Sequence, residues 1–423
     1  MAEPVLHDGE DLSNAVRTRL AAVQGAGQRT WTPSQAVVRS AEGVWLTTVE
    51  GRRLIDFASG VLVTNLGHGH PGFASRLARY CAGLPRNSYN LVTEIEVSAS
   101  ERLVASLAAV NRNAQKALWA ASGSEAVQKA MWVALARRPD RPIIAATRHG
   151  FHGKKGLAAD VTGATSKNPN VRFISFPMEE AHDEAFYQAE LDRLAAEHAG
   201  RIALLITEPY LGAAGSYHPP ISYHQMLARW CREHDIAFIF DEVQSCFGRT
   251  GRMYACETYG VEPDLVVLGK GVANGVPAAV TVGRADLIDA LTWGEASDTF
   301  SAHPEACAAV CATLDVFEEE RIVAHVQEVA PQVRAGLEQL VARYAFVRAV
   351  RGEGLVYGVE LADADAARAC VLEAYRGAAG MGVHFLGPLA GKVLRVSPPL
   401  TIQPNEIDQA FALLTKAWDR IAD

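Results

Sequence analysis

The sequence has no apolar run close to the roughly 18 residues that a membrane-spanning helix requires. It also lacks a basic excess: the formal net charge is −8, whereas a nucleic-acid partner requires a basic face. The first thirty residues carry Asp8, Glu10 and Asp11 and lack an apolar h-region, so we expect neither a secretory signal nor a transit peptide. These absences predict a protein with no membrane and no nucleic-acid partner.

Paired cysteines are also missing. The seven cysteines are odd in number and lack the spacing of zinc ligands. Scattered cysteines in a chain of 423 residues are usually small buried hydrophobic residues in a reducing compartment. We therefore expect no metal site and a cytoplasmic location.

Short apolar runs alternate with amphipathic helical patterns, which is typical of an α/β fold with a mostly parallel sheet. Nearly half of the residues are apolar (49%), enough for a large buried core. The predicted strands are 117–120, 142–147, 171–176, 202–207, 236–240, 265–268 and 279–282.

Three segments follow from this pattern. Residues 1–60 contain a small predicted hairpin, and residues 61–310 carry the strands of a large domain. From about residue 311 the pattern changes to long helices and two short strands, at 354–361 and 393–396, which indicates a smaller α+β domain. We expect the N-terminal segment to pack with this C-terminal domain.

An acidic side chain and an amine side chain follow two of the predicted strands. Asp241 follows the run at 236–240, and Lys270 follows the run at 265–268 between two glycines. Pyridoxal 5'-phosphate requires an amine for its aldehyde carbon and a carboxylate for its ring nitrogen. Alone, such an Asp is usually a turn or cap residue and such a Lys a solvated charge. The chain has only eight lysines, and a glycine-flanked one after a buried strand favours the cofactor interpretation.

Further polar and glycine-rich residues stand at other strand ends, where ligands bind in open α/β sheets. Ser122, Gly123 and Ser124 precede a helix. They are either a plain N-cap or a phosphate site, because N–H groups and the helix dipole favour an anion at that end. Together with Asp241 and Lys270, they favour the phosphate interpretation.

Three side chains are candidates for contacts with the pyridine ring. Phe151 can stack on one face, Val243 can cover the other, and Gln244 can bind the phenolic oxygen. The alternative for Phe151 is a core aromatic residue flanked by two surface histidines, His149 and His152.

These stretches resemble those of class III (omega-) aminotransferases, which are fold-type I pyridoxal phosphate enzymes. The most specific matches are the segment from Asp241 to Gly251 and the Gly269-Lys270-Gly271 triplet, and the similarity is strongest to the 4-aminobutyrate and omega-amine branches. Matching stretches run from Asp56 to Leu400. The resemblance implies a mostly parallel central sheet in the large domain, with the smaller α+β domain formed by the N- and C-terminal segments.

The resemblance also implies roles for individual residues. Lys270 would carry the cofactor and shuttle protons, and Asp241 would bind the ring nitrogen. Thr299 matches a threonine that reaches the phosphate of the neighbouring subunit, which implies a homodimer with two shared sites. Cofactor-binding residues would be Ser122, Gly123, Ser124, Phe151, Asp241, Val243, Gln244, Lys270 and Thr299.

Departures from the family pattern concern the substrate. Relatives with a glutamate half-reaction carry a second Glu shortly after the Glu-Pro pair, and this Glu holds a mobile arginine out of the way. This chain has Ala213 at that position, so Arg395, which matches the mobile arginine, would not be held by a carboxylate. The 4-aminobutyrate enzymes tend to have Arg in place of Lys154, and Lys cannot form a bidentate contact with a carboxylate. Alternatively, Lys154 pairs with Glu208. We expect these three residues, Arg395, Lys154 and Glu208, near the substrate.

The expected reaction is a ping-pong transfer of an amino group from an amine donor to a 2-oxo acid. The donor is left open among an omega-amino acid, a diamine, an aryl-alkyl amine and an amino sugar. Aminomutases and amino-acid epimerases of the same family are the alternative, because they share the first proton transfer. Transcription regulators with this fold require an N-terminal DNA-binding module, and the first sixty residues are too few and too acidic for one.

Overall fold

The computed structural model describes residues 3–28, 30–178 and 182–422, without the side chain of Leu389. It divides into two compact units: Pro71–Val323, and a unit formed by Met1–His70 together with Ala324–Asp423. The domain boundaries predicted at residues 60 and 310 stay a prediction.

The strands, numbered along the chain, are β1 (Val38–Glu42), β2 (Trp45–Thr48), β3 (Arg53–Asp56), β4 (Lys116–Ala120), β5 (Ile143–Thr147), β6 (Val171–Ile174), β7 (Ile202–Thr207), β8 (Ala237–Asp241), β9 (Leu265–Leu268), β10 (Ala279–Gly283), β11 (Val347–Glu353), β12 (Val356–Leu361), β13 (Met381–His384), β14 (Pro388–Leu389) and β15 (Val393–Val396).

The helices are α1 (Asp11–Val23), α2 (Ser59–Leu62), α3 (Pro71–Cys81), α4 (Glu94–Ala108), α5 (Gly123–Arg137), α6 (Gly156–Asp160), α7 (Glu184–Glu197), α8 (Ile221–Glu233), α9 (Ala255–Tyr259), α10 (Ala285–Ile288), α11 (Pro304–Glu319), α12 (Ile322–Arg343), α13 (Ala364–Arg376) and α14 (Pro404–Ala422). Across the ranges given above, none of them is long and apolar enough to cross a bilayer.

The larger unit contains a seven-stranded sheet in the order β4-β10-β9-β8-β7-β5-β6. The ladders from β9 through β6 are parallel, whereas β10 runs antiparallel to both β9 and β4. Strands β5, β7, β8 and β9 are almost entirely apolar and buried, as expected for parallel strands covered on both faces by helices. All seven strands predicted for the large domain form this sheet.

The carboxyl ends of the parallel strands set the position of the candidate site. Asp241 is the last residue of β8, and it pairs with Val267 in the β8–β9 ladder. Lys270 follows β9 and begins a 3₁₀ turn. Helix α5 packs over the sheet, with Val127, Ala130 and Met131 in the core. The chain therefore brings the ends of β5, β7, β8 and β9 to one edge of the sheet.

The unit formed by the two ends of the chain contains two four-stranded sheets, β1-β2-β3-β13 and β11-β12-β15-β14. The predicted N-terminal hairpin is the antiparallel β2–β3 pair, and the two C-terminal strands predicted from sequence pair as β12 and β15. After β3, α2 is a left-handed turn in which Ser59, Gly60, Val61 and Leu62 all have positive φ. The Asp56 carboxylate accepts from the Ala58 and Ser59 N–H groups.

Candidate active site

Asp241 is held by two hydrogen bonds. Its Oδ2 lies 2.7 Å from Nδ1 of His152, and its Oδ1 accepts from the backbone N–H of Val243 at 3.1 Å. Both side chains are buried, so the ring and the carboxylate satisfy each other where water cannot. A carboxylate fixed in this way has one orientation to offer to a ligand.

His152 is therefore not the surface residue that one interpretation of the sequence allowed. The structure places its imidazole in the core of the site, where Nε2 is buried and has no hydrogen-bond partner. The sequence signal that could have found it is its position: it follows β5 by a few residues, at the same edge of the sheet as Asp241. Phe151, beside it, is 38% exposed and so is not a core aromatic residue.

Glu208 follows β7 and is also buried, and its Oε1 accepts from the backbone N–H of Phe151 at 2.9 Å. Burial, with a smaller contribution from the charge of Asp241, raises the pKa of Glu208 to about 7. His152, the Phe151 hydrogen bond and Lys270 oppose this rise.

The suggested pair between Lys154 and Glu208 does not form. Lys154 is exposed, and within the described ranges no ion pair joins it to Glu208, whose carboxylate is turned to the Phe151 N–H instead. A buried carboxyl group takes the nearby backbone donor, whereas a lysine on the surface keeps its hydration.

Val243 is packed between two glycines from different strand ends. A Cβ on Gly123 would lie 3.1 Å from Cγ1 of Val243, and one on Gly269 would lie 3.2 Å from the same atom. The start of α5, the segment after β8 and the residue before Lys270 are therefore in contact. This contact brings the predicted phosphate turn and the predicted cofactor lysine to one place.

Lys270 has a left-handed backbone, with φ of 47°. That conformation is unfavourable for a residue with a Cβ and persists only where its surroundings impose it. The preceding residue is anchored, because the Gly269 carbonyl lies 3.6 Å from the buried Cys246 thiol. The fold thus holds this lysine in a strained position at the edge of the sheet.

The turn at Ser122 forms the N-cap that one interpretation of the sequence predicted, and the phosphate site stays a prediction. Ser122 Oγ accepts from the Glu125 N–H at 3.4 Å, and the Glu125 carboxylate accepts from the Ala121 N–H at 3.1 Å, which is a reciprocal cap. Ser124 lies beside Gly153, where a Cβ would come within 2.2 Å of its hydroxyl oxygen. A capped start of a fifteen-residue helix also suits an anion.

Gln244 follows Val243 into the same region. Its Oε1 is buried without a hydrogen-bond partner, and a Cβ on Gly212 would lie 1.7 Å from that atom. An orphaned amide that packs against a glycine backbone is ready to bind a polar group of a ligand.

Two further residues predicted for the site are Thr299 and Arg395. Thr299 is exposed, in the loop before α11, and its carbonyl accepts from Nδ2 of Asn87 at 2.8 Å. Arg395 is buried on β15, in the unit formed by the chain ends. The contacts among Asp241, Val243, Gly123 and Gly269 do not involve Thr299, and the roles of Thr299 and Arg395 stay predictions.

A family model described as "Aminotransferase class-III" matches residues 26–418. The chain belongs to this family. It is 33% identical over 386 residues to an acetylornithine aminotransferase of Agrobacterium fabrum, covering 89% of this chain and 92% of the relative. It is 31% identical to a 5-aminovalerate aminotransferase of Pseudomonas putida, covering 96% of this chain and 98% of the relative.

Solved structures of transaminases have the same fold as this chain. An amine transaminase from an uncultivated Pseudomonas species, determined with pyridoxal phosphate bound, superposes with a TM-score of 0.84 at 27% identity and covers 99% of both chains. The predicted family, fold class, aminotransferase reaction and cofactor are confirmed. An aminomutase or epimerase is not favoured.

The residues of this chain fit the cofactor. The buried Gln244 oxygen is an amide atom in need of a partner, and exchanging the two ends of the amide presents its N–H₂ to a phenolic oxygen. Phe151 is exposed enough to stack, and Val243 packs closely against the backbone of Gly123 and Gly269.

The raised pKa of Glu208 predicts a pH dependence of stability. The folded chain keeps the Glu208 proton up to about pH 7, whereas the ordinary pKa is 4.5. The free energy of unfolding of the cofactor-free protein should therefore fall as pH rises from about 4.5 to 7. In Glu208→Gln this fall should be smaller by up to about 3 kcal/mol. Urea unfolding at several pH values measures it, with the exposed Glu233→Gln as control; parallel wild-type and Glu208→Gln curves would contradict the assignment.

Proposed function

We propose that Lys270 and Asp241 are the catalytic residues of a ping-pong transfer between a primary amine and a 2-oxo acid. The observation that carries this proposal is the buried Asp241–His152 pair, in a region where Val243 joins the turn at Gly123 to the residue before Lys270. This arrangement supplies an oriented carboxylate, an amine and an anion site within one edge of the sheet.

When bound, pyridoxal 5'-phosphate supplies an aldehyde carbon that links to amines and a protonated ring that withdraws electrons from the substrate Cα. Asp241 keeps a proton on the ring nitrogen, since an ionised acid stabilises the cation beside it. His152 fixes the carboxylate of Asp241 for this purpose. Lys270 would hold the aldehyde carbon of the cofactor through its amine, and as a free amine it would act as the general base and acid that moves the proton of the substrate Cα.

The other residues would hold and orient the cofactor. The turn of Ser122, Gly123 and Ser124 binds the phosphate at the start of α5. Phe151 stacks on one face of the ring and Val243 covers the other. Gln244 donates to the phenolic oxygen, which satisfies its buried amide.

Arg395 binds the carboxylate of the 2-oxo acid, because a guanidinium matches a carboxylate with two parallel hydrogen bonds. The relatives named above act on acetylornithine and 5-aminovalerate, which are amines at the end of a carbon chain. Ala213 provides no carboxylate to hold Arg395, and Lys154 is an exposed point charge near Phe151. Both features leave room for a broader class of donor amines. We therefore place the donor among omega-amino acids, diamines, aryl-alkyl amines and amino sugars.

The active form is proposed to be a homodimer in which Thr299 reaches the phosphate bound by the other subunit. Thr299 is exposed, and so is its neighbour Phe300, at 60%. The Thr299 carbonyl accepts a hydrogen bond from Asn87, which precedes an exposed segment around Tyr89. Exposed aromatic residues in neighbouring segments are typical of a surface that a partner covers.

The compartment is proposed to be reducing, as in the cytoplasm. All seven cysteines are free thiols, and six of them are buried. Burial raises the pKa of the Cys246 thiol to about 12 and that of Cys370 to about 12, so these thiols are unreactive packing residues.

Replacing Lys270 tests the catalytic assignment. Lys270→Ala should still bind the cofactor but lose its pH-dependent visible absorbance, and turnover should fall by at least about 10²–10⁴-fold, the usual contribution of a general acid and base. Absorbance titration and a donor panel with 2-oxo acids measure both effects, with the exposed Lys167→Ala as control. Full turnover in Lys270→Ala would overturn the assignment.

Replacing Arg395 tests the substrate assignment. Arg395→Ala should weaken the half-reaction with the 2-oxo acid by about 2–5 kcal/mol, because a carboxylate contact loses one charged partner. The half-reaction with a carboxylate-free amine should be nearly unchanged. Single-turnover absorbance of each half-reaction separates the two, and equal losses in both would mean that Arg395 has only a structural role.

Mixed dimers test the shared site. Neither Lys270→Ala nor Thr299→Ala homodimers have a complete site, but a dimer with one chain of each has one, if Thr299 acts on the other subunit. At a cofactor concentration that leaves Thr299→Ala mostly empty, each mixed dimer should have about half of the wild-type activity, so an equal mixture after random subunit exchange should recover about a quarter. No recovery after subunit exchange would place Thr299 in its own subunit's site or outside any site.

A further inference from the structure

Helix α5 carries a buried lysine that the mechanism above does not use. Lys129 lies one and a half turns beyond the phosphate turn, and its side chain is only 4% exposed. A buried ammonium is unfavourable unless all its donors are satisfied. The hydrogen-bond partners of the Lys129 ammonium group therefore indicate which parts of the structure it joins.

All three N–H donors of Lys129 have a partner. Its Nζ lies 2.7 Å from the Trp119 carbonyl oxygen on β4, 2.7 Å from Oδ2 of Asp298 and 2.8 Å from Oγ of Ser301. The Ser301 hydroxyl also lies 3.0 Å from the Trp119 carbonyl oxygen. One cation thus ties the sheet to both ends of the segment 298–301.

The same segment is fixed from within. The Asp298 Oδ1 accepts from the N–H groups of Phe300 at 3.0 Å and Ser301 at 2.7 Å. Asn87 donates to the Thr299 carbonyl at 2.8 Å. The Thr299 backbone is therefore held on both sides, while the residue remains exposed to the surroundings.

The contacts of Lys129 with Asp298 are charge-assisted, and they fix Asp298 in the orientation that accepts from the loop backbone. The hydrogen bonds and the charge of Lys129 lower the pKa of Asp298, against the effect of partial burial. Asp298 therefore remains a carboxylate at neutral pH and keeps both of its functions, as the acceptor for Lys129 and as the cap of the Thr299 loop.

We propose that Lys129 is a positioning residue that holds Thr299 where its hydroxyl reaches the cofactor phosphate bound by the other subunit. The proposal rests on the shared-site dimer of the preceding section. Its consequence is that α5 serves two phosphates, its own subunit's through Gly123 and Ser124 and the other subunit's through Lys129.

The experiment compares cofactor with and without its phosphate, in the full-length dimer. Lys129→Met keeps the apolar stem of the side chain and removes the charge. It should weaken binding of pyridoxal 5'-phosphate by about tenfold, the value of one hydrogen bond to a charged group, and leave binding of pyridoxal unchanged. The matched control is Lys116→Met on β4, whose exposed ammonium pairs with Asp289 and should have no effect on either ligand.

A double variant separates positioning from general destabilisation. If Lys129 acts through Thr299, then Lys129→Met/Thr299→Ala should bind pyridoxal 5'-phosphate no more weakly than Thr299→Ala alone. Additive losses, equal losses for pyridoxal and its phosphate, or wild-type affinity of Lys129→Met beside a weakened Thr299→Ala would each overturn the proposal.

Asp298→Asn provides a second route if Lys129→Met does not fold. It keeps the side-chain shape and an oxygen for the backbone N–H groups of Phe300 and Ser301, but replaces the oxygen that accepts from Lys129 with an N–H₂ donor, and it should show the same phosphate-dependent loss. Wild-type affinity in Thr299→Ala would overturn the Thr299 assignment and this inference together, but not the aminotransferase mechanism, which the Lys270→Ala absorbance tests separately.

Discussion

The hydrogen bond between the Asp241 carboxylate and the His152 imidazole is the interaction on which the candidate site depends. A buried charge needs a fixed partner, and only the parallel arrangement of β5, β7 and β8 can bring these two side chains together. Glu208 lies at the same edge of the sheet, where burial above all, and the neighbouring charge of Asp241 to a smaller extent, raise its pKa to about 7.

Those parts of the fold that follow from local chemistry were predictable. Short, mostly apolar runs such as 202–207 are typical of strands covered on both sides, and a glycine-flanked Lys270 after such a strand has few structural explanations. The partners of His152 and Glu208 were not predictable in this way. Their contacts join residues 89 and 57 positions apart, and nothing in the local pattern distinguishes a buried imidazole from an exposed one.

Lys129 shows the same limit on a helix. In the sequence it occupies an ordinary polar position of an amphipathic pattern, where a lysine is usually solvated. Its burial depends on the loop at 298–301, which the chain delivers 169 residues later. Polar residues that act through distant loops are therefore the part of a site that sequence patterns miss, whereas residues at strand ends are the part they find.

The left-handed turn at α2 has a consequence for biosynthesis. Val61 and Leu62 have no local reason to adopt positive φ, so the turn must be imposed by contacts, among them the bond from the Ser59 hydroxyl to the Ser397 carbonyl at 2.7 Å. That carbonyl lies 338 positions further along the chain. During synthesis, Pro71–Val323 can assemble as the ribosome proceeds, but the turn after β3 cannot form this bond until Ser397 has been translated.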